Sequence, residues 1–276
     1  MNYRHAYHAG NYADVMKHVL YMAVIDYLKL KDKPFFILDT HAGAGLTDLS
    51  GIEAQKTGEF HHGIKLVLQA EPRHPLIESY VARIERLGGG NLTSYPGSPL
   101  IARDMMREED RMALCELHPE DAATLKSLFR RDPQVGVHEM NGYVALKSML
   151  PPKERRGVVL IDPPFEQRSE FDDLLIALKE ATIRWPGGTY MIWYPVKDPS
   201  VSGAFLERLM NEGPPRTLLC ELRLEAPDPT RMTGCGMIIV NPPWTLAGEA
   251  RALLDWLVAL LARGPGAGGH VEQLTA

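Results

Sequence analysis

The feature of this sequence that most limits its fold is a series of short apolar runs separated by stretches of helical periodicity. The runs are rich in Ile, Val and Leu, which is typical of buried strands. Strands that alternate with helices favour a doubly wound, mostly parallel α/β sheet. The seven predicted strands are residues 34–39, 112–117, 135–139, 157–162, 188–194, 217–224 and 236–241.

The connections between these runs predict the order and direction of the strands. An amphipathic helix over residues 11–30 precedes the first strand and ends at K-D-K-P. Further helices are predicted between most of the later strands, as the Rossmann-like arrangement requires. The gap between 217–224 and 236–241 is too short for a crossover helix, so we expect an antiparallel hairpin in which the last of the seven strands is antiparallel to the others.

One connection is much longer than the fold needs. The first strand ends at Asp39 and the second near Glu116, whereas a βαβ unit requires only about 30 residues. Residues 46–97 are therefore predicted to form a small helical insertion, on the ligand side of the sheet, within a single domain that spans residues 1–276. The Gly-rich residues 263–276 are predicted to be disordered.

Composition excludes several classes of protein. No apolar stretch approaches the ~20 residues of a membrane helix, and the first residues do not resemble a signal peptide, so we expect a cytoplasmic protein with no membrane partner. The three cysteines lie in separate segments, which argues against a disulfide framework and predicts no metal site. The net charge of −5 means that any nucleic-acid binding would depend on a local basic patch.

Polar residues at four predicted strand ends point to one ligand crevice. The first strand continues into L-D-T-H-A-G-A-G, whose glycines allow close approach of a ligand. Glu116 ends the second strand and suits a pair of ribose hydroxyls, Asn141 and Gly142 follow the third and suit an adenine edge, and Asp162 ends the fourth. Since the carboxyl ends of parallel strands share one edge, these residues together predict an adenosine-bearing cofactor.

A second group of residues can bind the other end of such a cofactor. Ser98 followed by Pro99 is the pattern of a helix N-cap, and a helix N-terminus is also an anion site. It can hold a carboxylate such as the methionine end of S-adenosylmethionine. Lys17 and His18 on the first predicted helix, and His41 in the first glycine turn, can serve the same end.

The tetrapeptide Asp162-Pro163-Pro164-Phe165 carries the chemistry. The exocyclic amine of adenine is a poor nucleophile because its lone pair is conjugated into the ring. A carboxylate and a fixed backbone carbonyl can accept hydrogen bonds from this amine and stabilise the positive charge that grows as it attacks a methyl sulfonium. The prolines fix the backbone, and Phe165 offers a face on which the base can stack. The tetrapeptide therefore indicates methylation of an amine.

These residues carry a resemblance to a known family. D-P-P-F at a fourth strand end is the signature of S-adenosylmethionine-dependent amino-methyltransferases. Together with Y-R-H-A-Y-H-A-G-N-Y-A-D-V-x-K-H, L-D-T-H-A-G-A-G, Y-P-G-S-P and E-L-H-P, it resembles the family of ribosomal RNA large subunit methyltransferases J from Tyr3 to Trp244. The resemblance implies a seven-stranded methyltransferase sheet with S-adenosyl-L-methionine as cofactor. It also implies N6-methylation of the single adenine of 23S ribosomal RNA that the family modifies.

The resemblance also implies roles for individual residues. It makes Asp162 catalytic and has Tyr3 help to hold the RNA. Two positions depart from the common pattern, since Phe165 replaces a tyrosine and Asn141 stands where this fold often has an aspartate. The substrate is expected to be free or partly assembled 23S ribosomal RNA, and the protein a monomer. The implied cofactor-binding residues are His18, His41, Ser98, Glu116, Asn141, Gly142 and Asp162.

A second string in the chain, Asn241-Pro242-Pro243-Trp244, fits the signature equally well. If residues 236–241 form the antiparallel strand, their carboxyl end lies at the edge opposite the cofactor. We therefore interpret Asn241 as part of a structural turn and Trp244 as a core ring.

Other functions remain open from the residues alone. N5-methylation of a glutamine side chain in a protein uses the same tetrapeptide, and a DNA adenine-N6 methyltransferase would share the chemistry. A nicotinamide dehydrogenase would show fuller G-x-G-x-x-G spacing, and a non-catalytic RNA-binding module has no need of Asp162 beside a cofactor. Cytosine C5 methylation needs a nucleophilic cysteine, and the strand position of Cys115 shows no activating site.

Overall fold

The computed structural model describes residues 5–89, 92–167 and 169–275. In this part of the chain the strands are β1 (Phe36–Asp39), β2 (Leu46–Asp48), β3 (Ser94–Pro96), β4 (Arg111–Glu116), β5 (Val135–Glu139), β6 (Gly157–Ile161), β7 (Thr189–Val196), β8 (Thr217–Arg223), β9 (Gly234–Val240) and β10 (Gly268–Thr275).

Helices cover both faces of the main sheet. Two short 3₁₀ helices, His5–Tyr7 and Glu59–His62, lie near the N-terminus and in the insertion. The α-helices of the described residues are α1 (Tyr12–Lys29), α2 (Ile52–Thr57), α3 (Ile64–Gln69), α4 (Pro75–Gly88), α5 (Ser98–Met105), α6 (Pro119–Leu128), α7 (Gly142–Ser148), α8 (Glu170–Arg184), α9 (Pro199–Glu212) and α10 (Leu246–Leu261).

The main sheet, as far as the structure describes it, has eight strands in the order β10-β8-β9-β7-β6-β1-β4-β5. The pairs that join β5, β4, β1, β6 and β7 are parallel, whereas β9 is antiparallel to both β7 and β8. The predicted α/β class, the seven strands and the terminal hairpin are therefore confirmed. The predicted strand count was one too low, because β10 adds an eighth strand beside β8.

The added strand corrects the prediction of a disordered tail over residues 263–276. Gly268–Thr275 pairs antiparallel with β8. Glycine in this stretch permits close packing, since a Cβ atom on Gly269 would lie 2.7 Å from Leu254 Cβ of α10. Val271 and Leu274 are both partly buried, and they pack against the two different hydrophobic clusters of the protein. The prediction failed because glycine serves close packing as well as chain flexibility.

The insertion contains more than helices. Within residues 46–97, the helices α2, α3 and α4 accompany a two-stranded antiparallel sheet of β2 and β3. The insertion packs on α1, where Gly63 is so close to Gly10 that a Cβ atom would lie 2.3 Å from the Gly10 carbonyl oxygen. Ile64 N also donates to Gly10 O at 2.8 Å. The insertion is thus anchored to the start of α1, near the carboxyl ends of the parallel strands.

No helix in the described ranges is long and apolar enough to cross a membrane.

Candidate active site

The carboxyl ends of β1, β4 and β6 place three carboxylates at one edge of the sheet. Asp39 and Glu116 are the last residues of β1 and β4, and Asp162 follows β6 directly. The strands β4, β1 and β6 are parallel neighbours, so their ends meet. This is the edge at which open α/β sheets bind ligands.

Asp162 is held by an ion pair with Lys17 of α1. Lys17 Nζ lies 2.5 Å from Asp162 Oδ2 and 2.8 Å from Asp14 Oδ1. The side chain of Lys17 is 4% exposed and that of Asp162 is 15% exposed. Burial alone would lower the pKa of Lys17, but the two carboxylates raise it above its ordinary value. The ammonium therefore stays charged and fixes Asp162 in a position that a ligand can reach.

Asp14 lies beneath this ion pair and is buried. It accepts hydrogen bonds from Gly10 N at 2.9 Å and from His5 Nε2 at 3.1 Å. Burial by itself would raise the pKa of Asp14, but His5 and Lys17 hold it well below its usual range. Burial opposes protonation of His5, yet Asp14 raises the pKa of His5 above its ordinary value. The four residues His5, Asp14, Lys17 and Asp162 therefore form one charged network.

The first glycine turn lies against the start of α7. Gly43 and Gly45 both have positive φ values, +60° and +81°, which a residue with a side chain rarely adopts. Gly142, the first residue of α7, approaches this turn so closely that a Cβ atom would lie 2.4 Å from Thr40 O and 2.9 Å from His41 Cε1. The structure thus shows a packing role for Gly142, and its predicted role beside an adenine stays a prediction.

Glu116 and Asn141 make backbone contacts that the sequence did not specify. Glu116 Oε2 accepts from Gly43 N at 2.8 Å, and Oε1 accepts from His118 N at 2.7 Å. Each carboxylate oxygen has a second lone pair, so Glu116 can still accept from a ligand hydroxyl. Asn141 is the N-cap of α7, and its Oδ1 accepts from the amides of Tyr143 and Val144. Its described contacts are therefore structural.

Ser98 and His18 lie on the other side of the glycine turn. The N-cap of α5 is Gly97, so the prediction that Ser98 is the N-cap was wrong. Ser98 instead is the first helical residue, and its Oγ donates to Asp39 Oδ2 at 2.6 Å. His18 Nδ1 lies 2.9 Å from the hydroxyl of Tyr95. Gly97 has the extended backbone of a cap residue, with φ −77° and ψ 177°, and the helix begins one residue later, at Ser98.

Burial sets the protonation of the groups around this turn. It lowers the pKa of His18 to about 3 and that of His41 to about 4, so both rings are neutral near pH 7. It raises the pKa of Asp39 to about 6, against the effect of the hydrogen bond from Ser98. His41 is further oriented by a 2.8 Å hydrogen bond between its Nδ1 and Thr40 Oγ1.

Three cavities meet at Asp162 and His5, which line all of them. One small cavity, of about 40 Å³, runs along Gly43, Gly45, His18, His41 and Ser98. A second of about 40 Å³ is lined by residues that include His41, Gly43, Glu116 and Leu117. The third cavity, of about 390 Å³, opens on the other side of Asp162 and is lined by residues that include Tyr12, Pro164, Phe165, Trp193 and Met232.

The side chains and backbone groups that line the two small cavities suit an adenosine-bearing cofactor, but the cavities are too small to enclose one. Their walls combine glycine backbone, neutral histidines and the acceptor Glu116. Small-molecule sites usually enclose ~300 Å³ or more, far above these volumes. His5 and Ala6 line the cavity beside Ser98. The space enclosed beside the His5–Tyr7 segment is therefore smaller than the volume of a bound cofactor.

Phe165 has a strained backbone, with a φ of +49°. Its ring packs against Phe171, with centroids 4.7 Å apart, and meets Trp193 edge-on at 5.9 Å. It also lines the large cavity. A non-glycine residue keeps such a conformation only where its surroundings fix it, which is common at functional sites.

The second tetrapeptide lies at the opposite edge, because β9 runs against β7. Asn241 Nδ2 donates to the carbonyls of Pro186 and Gly188, and its Oδ1 accepts from Arg216 Nε at 3.0 Å. The geometry agrees with the interpretation of a structural turn. Trp244 is 82% exposed, so its interpretation as a core ring was wrong.

The sequence analysis did not predict every residue of the site, and one residue that it did predict cannot be compared with the structure. Tyr3 lies outside the described residues. Asp14 was not predicted, although its spacing of three residues from Lys17 on α1 places the two on one helical face. Lys17 was predicted to bind the carboxylate end of the cofactor, but in the structure it pairs with Asp14 and Asp162. Burial raises the pKa of Cys115 to about 12, which disfavours a thiolate nucleophile there. Among the described residues no group of His, Cys, Asp or Glu side chains is arranged to hold a metal ion.

Comparison with known proteins gives full-length matches. The family model "Ribosomal RNA large subunit methyltransferase D, RlmJ" matches residues 32–274. The chain is 42% identical over 278 residues to ribosomal RNA large subunit methyltransferase J of Haemophilus influenzae, covering 100% of this chain and 99% of that protein. The protein of the same name from Escherichia coli is 41% identical over 273 residues, with 98% and 96% covered.

Solved structures agree with these matches. The crystal structure of protein LPL1258 from Legionella pneumophila superposes with a TM-score of 0.89 at 35% identity, covering 96% of this chain and 98% of that one. A probable spermidine synthase from Corynebacterium glutamicum shares the fold alone, with a TM-score of 0.52 at 14% identity, covering 94% of this chain and 74% of that one.

Proposed function

Because this chain belongs to the family of ribosomal RNA large subunit methyltransferases represented by the matching model, we propose that it methylates N6 of a single adenine in 23S ribosomal RNA with S-adenosyl-L-methionine as cofactor. We further propose that it acts as a cytoplasmic monomer on free or partly assembled RNA, at the position that the family modifies. The observation that carries the proposal is the place of Asp162, which lines both small cavities beside the glycine turn and the larger cavity at once.

The cofactor supplies an electrophilic methyl group, and the residues of this chain supply binding and charge. Glu116 suits a pair of ribose hydroxyls because its carboxylate lies at the end of β4 beside Gly43. The neutral rings of His18 and His41 add no repulsion toward a sulfonium cation. Ser98 lines the small cavity beside the glycine turn and would assist there. Asn141 and Gly142, at the start of α7, would contribute by holding the neighbouring turn, since Gly142 packs against Thr40 and His41.

Asp162 is the proposed catalytic group. The adenine amine gains positive charge as its nitrogen attacks, and a carboxylate that accepts its hydrogen bond stabilises that charge. Lys17 already occupies Asp162 Oδ2, so the oxygen Oδ1 is the better acceptor for a substrate. The base would stack on Phe165, which lines the large cavity, and Tyr3 would help to hold the RNA. The nearby charged network keeps Asp162 oriented before the substrate binds.

The test is methyl transfer from labelled S-adenosylmethionine into total RNA of a strain that lacks the gene, followed by nucleoside analysis. We expect label in 6-methyladenosine of 23S ribosomal RNA alone. Label in glutamine of a protein fraction, or in DNA of the same extract, would replace this proposal with one of the two alternative substrates. Absence of label from every fraction would overturn it.

A further inference from the structure

Charged side chains line both the buried floor and the exposed mouth of the large cavity. Asp14 and Asp162 lie at its floor, where their side chains are 2% and 15% exposed. Three cations, Lys197, Arg231 and Arg263, lie on the same cavity wall but are exposed to solvent. The floor also holds Lys17, which is 4% exposed and paired with both of these carboxylates, and Glu59, which is 34% exposed, lines the same cavity. The acceptor Asp162 thus lies deep in the cavity, whereas these three cations lie at its exposed mouth. An adenine nucleotide has the matching polarity, with a hydrogen-bond donor amine at one end and a phosphate at the other.

The fold explains why the three cations meet. Lys197 follows the carboxyl end of β7, and Arg231 lies in the loop between β8 and β9. Arg263 lies between α10 and β10, and β10 begins beside the carboxyl end of β8. All three segments therefore emerge at the edge that carries Asp162. The main-chain nitrogen of Arg263 donates to Leu224 O at 2.7 Å, which fixes its position.

The three cations differ in how far they are neutralised. Arg231 binds both carboxylate oxygens of Glu225 and also lies 3.1 Å from Asp228 Oδ2. Arg263 instead lies over the ring of Tyr12, at 5.4 Å from its centroid, and has no ion pair within the described residues. Lys197 likewise has no carboxylate partner in the described part of the chain. Lys197 and Arg263 are therefore the cations of this cavity mouth that can bind an anion. They provide local positive charge on a protein whose formal net charge is −5.

We propose that Lys197 and Arg263 form a phosphate subsite, which binds the RNA backbone next to the target adenine while the base reaches Asp162. The proposal rests on the proposed function, which it deepens by assigning the side chains that hold the RNA strand. Phosphate contacts position a nucleic acid without reading its sequence. Arg263 matches this role because the planar guanidinium on Tyr12 can donate two parallel hydrogen bonds to one phosphate. Lys197 contributes a point charge at the same mouth.

The test uses the full chain and an unmethylated 23S ribosomal RNA fragment that the wild-type protein methylates. The variants are Lys197→Gln, Arg263→Gln and the double substitution. Lys33→Gln and Arg131→Gln are matched controls, since both residues lie in loops at the opposite edge of the sheet and are exposed. Affinity for S-adenosylmethionine and the melting temperature are measured for each variant to separate RNA binding from folding.

We expect each single variant to raise the KM for RNA about 5- to 10-fold, with a smaller effect on kcat, because one charge-assisted contact is lost. The slope of log KM against log salt concentration should fall by about 0.7 per charge removed. The control variants should behave like the wild type. An equal rise in the KM for RNA in the control variants would overturn the proposal, because it would show that RNA is attracted by the charge of the whole protein and not by this subsite.

A second measurement places the contact on the RNA. Neutral methylphosphonate linkages are introduced on either side of the target adenine in the same fragment. They should weaken methylation by the wild type about as much as the double substitution does, and should have little further effect on the double variant. Additive losses would overturn the proposal. Failure of the wild type to methylate any RNA would count against the proposed function instead, so the two failures are distinguishable.

Discussion

The two tetrapeptides D-P-P-F and N-P-P-W have almost the same letters but opposite surroundings. Asp162 follows a parallel strand and is joined to a buried lysine and three cavities. Asn241 follows the antiparallel strand β9, and its amide is used in hydrogen bonds to Pro186, Gly188 and Arg216. The comparison teaches that strand direction decides whether a motif emerges at the edge where open α/β sheets bind their ligands or at the opposite one.

The largest expected effect is the loss of methyl transfer in a variant of Asp162, which a variant of Asn241 should not show. Asp162→Ala should lower kcat by ~10²-fold or more, because it removes the group that stabilises charge on the adenine amine. Incorporation of labelled methyl groups into RNA measures this, with calorimetry to verify that the cofactor still binds. Survival of activity in this variant, together with loss of activity in Asn241→Ala, would move the mechanism to the opposite edge.

The next effect concerns the cofactor at the Asp162 edge. Glu116→Ala should weaken binding of S-adenosylmethionine by on the order of 1–3 kcal/mol, since it removes a carboxylate with two backbone partners at the crevice. Isothermal titration measures the change. Glu116→Gln, which keeps one acceptor oxygen, should recover part of the loss. Unchanged affinity in the alanine variant would overturn the assignment of Glu116.

Acid should lower the free energy of unfolding of the protein because of His18, a buried residue near the Asp162 edge. The pKa of His18 is depressed to about 3, so the folded protein holds a neutral ring that the unfolded chain protonates below about 6.5. The stabilisation is present above that pH and is lost as pH falls toward 3, by at most ~1.4 kcal/mol per pH unit. Urea unfolding between pH 4 and 7 measures it, and His18→Gln should flatten the dependence. An unchanged slope in that variant would show that the ring is not neutral in the fold.

A smaller effect is expected for the stability of the opposite edge. Asn241→Ala should lower the free energy of unfolding by ~1–3 kcal/mol, because four side-chain hydrogen bonds are lost and the φ of +53° disfavours alanine. Methyl transfer per folded molecule should stay near that of the wild type. Thermal melting and activity, measured on the same preparation, test both statements. A stable variant with lost activity would contradict the structural role.

The smallest expected effect is that of Trp244→Ala. Its ring is 82% exposed and contributes little to the core, so the melting temperature should change by about 1 °C or less. Phe165→Ala is the matched change in the other tetrapeptide and should reduce methyl transfer by loss of the stacking face. Equal behaviour of the two aromatic variants in the activity assay would remove the distinction between the sites.

The sequence predicted those parts of the molecule that depend on local patterns. Apolar runs located the seven strands, and the tetrapeptide located Asp162. The pairing of Lys17 with Asp162 joins residues far apart in the chain, so no local pattern could reveal it. The strand β10 and the exposure of Trp244 depend on what packs next to them. Glycine is depleted in strands and tryptophan is mostly buried, on average. In this protein the tertiary neighbours place Gly268 and Gly269 in a strand and leave Trp244 exposed.

The strand β10 also has a consequence for the synthesis of the protein. It pairs with β8, but β9, α10 and the loops that join them are made between the two. During translation the outer edge of β8 therefore presents unpaired main-chain groups next to buried residues such as Leu218 and Cys220. An open edge of this kind is a template for pairing with another nascent chain. Synthesis that halts before Gly268 should consequently yield aggregation-prone products, even though every residue of the methyl-transfer site has already been made.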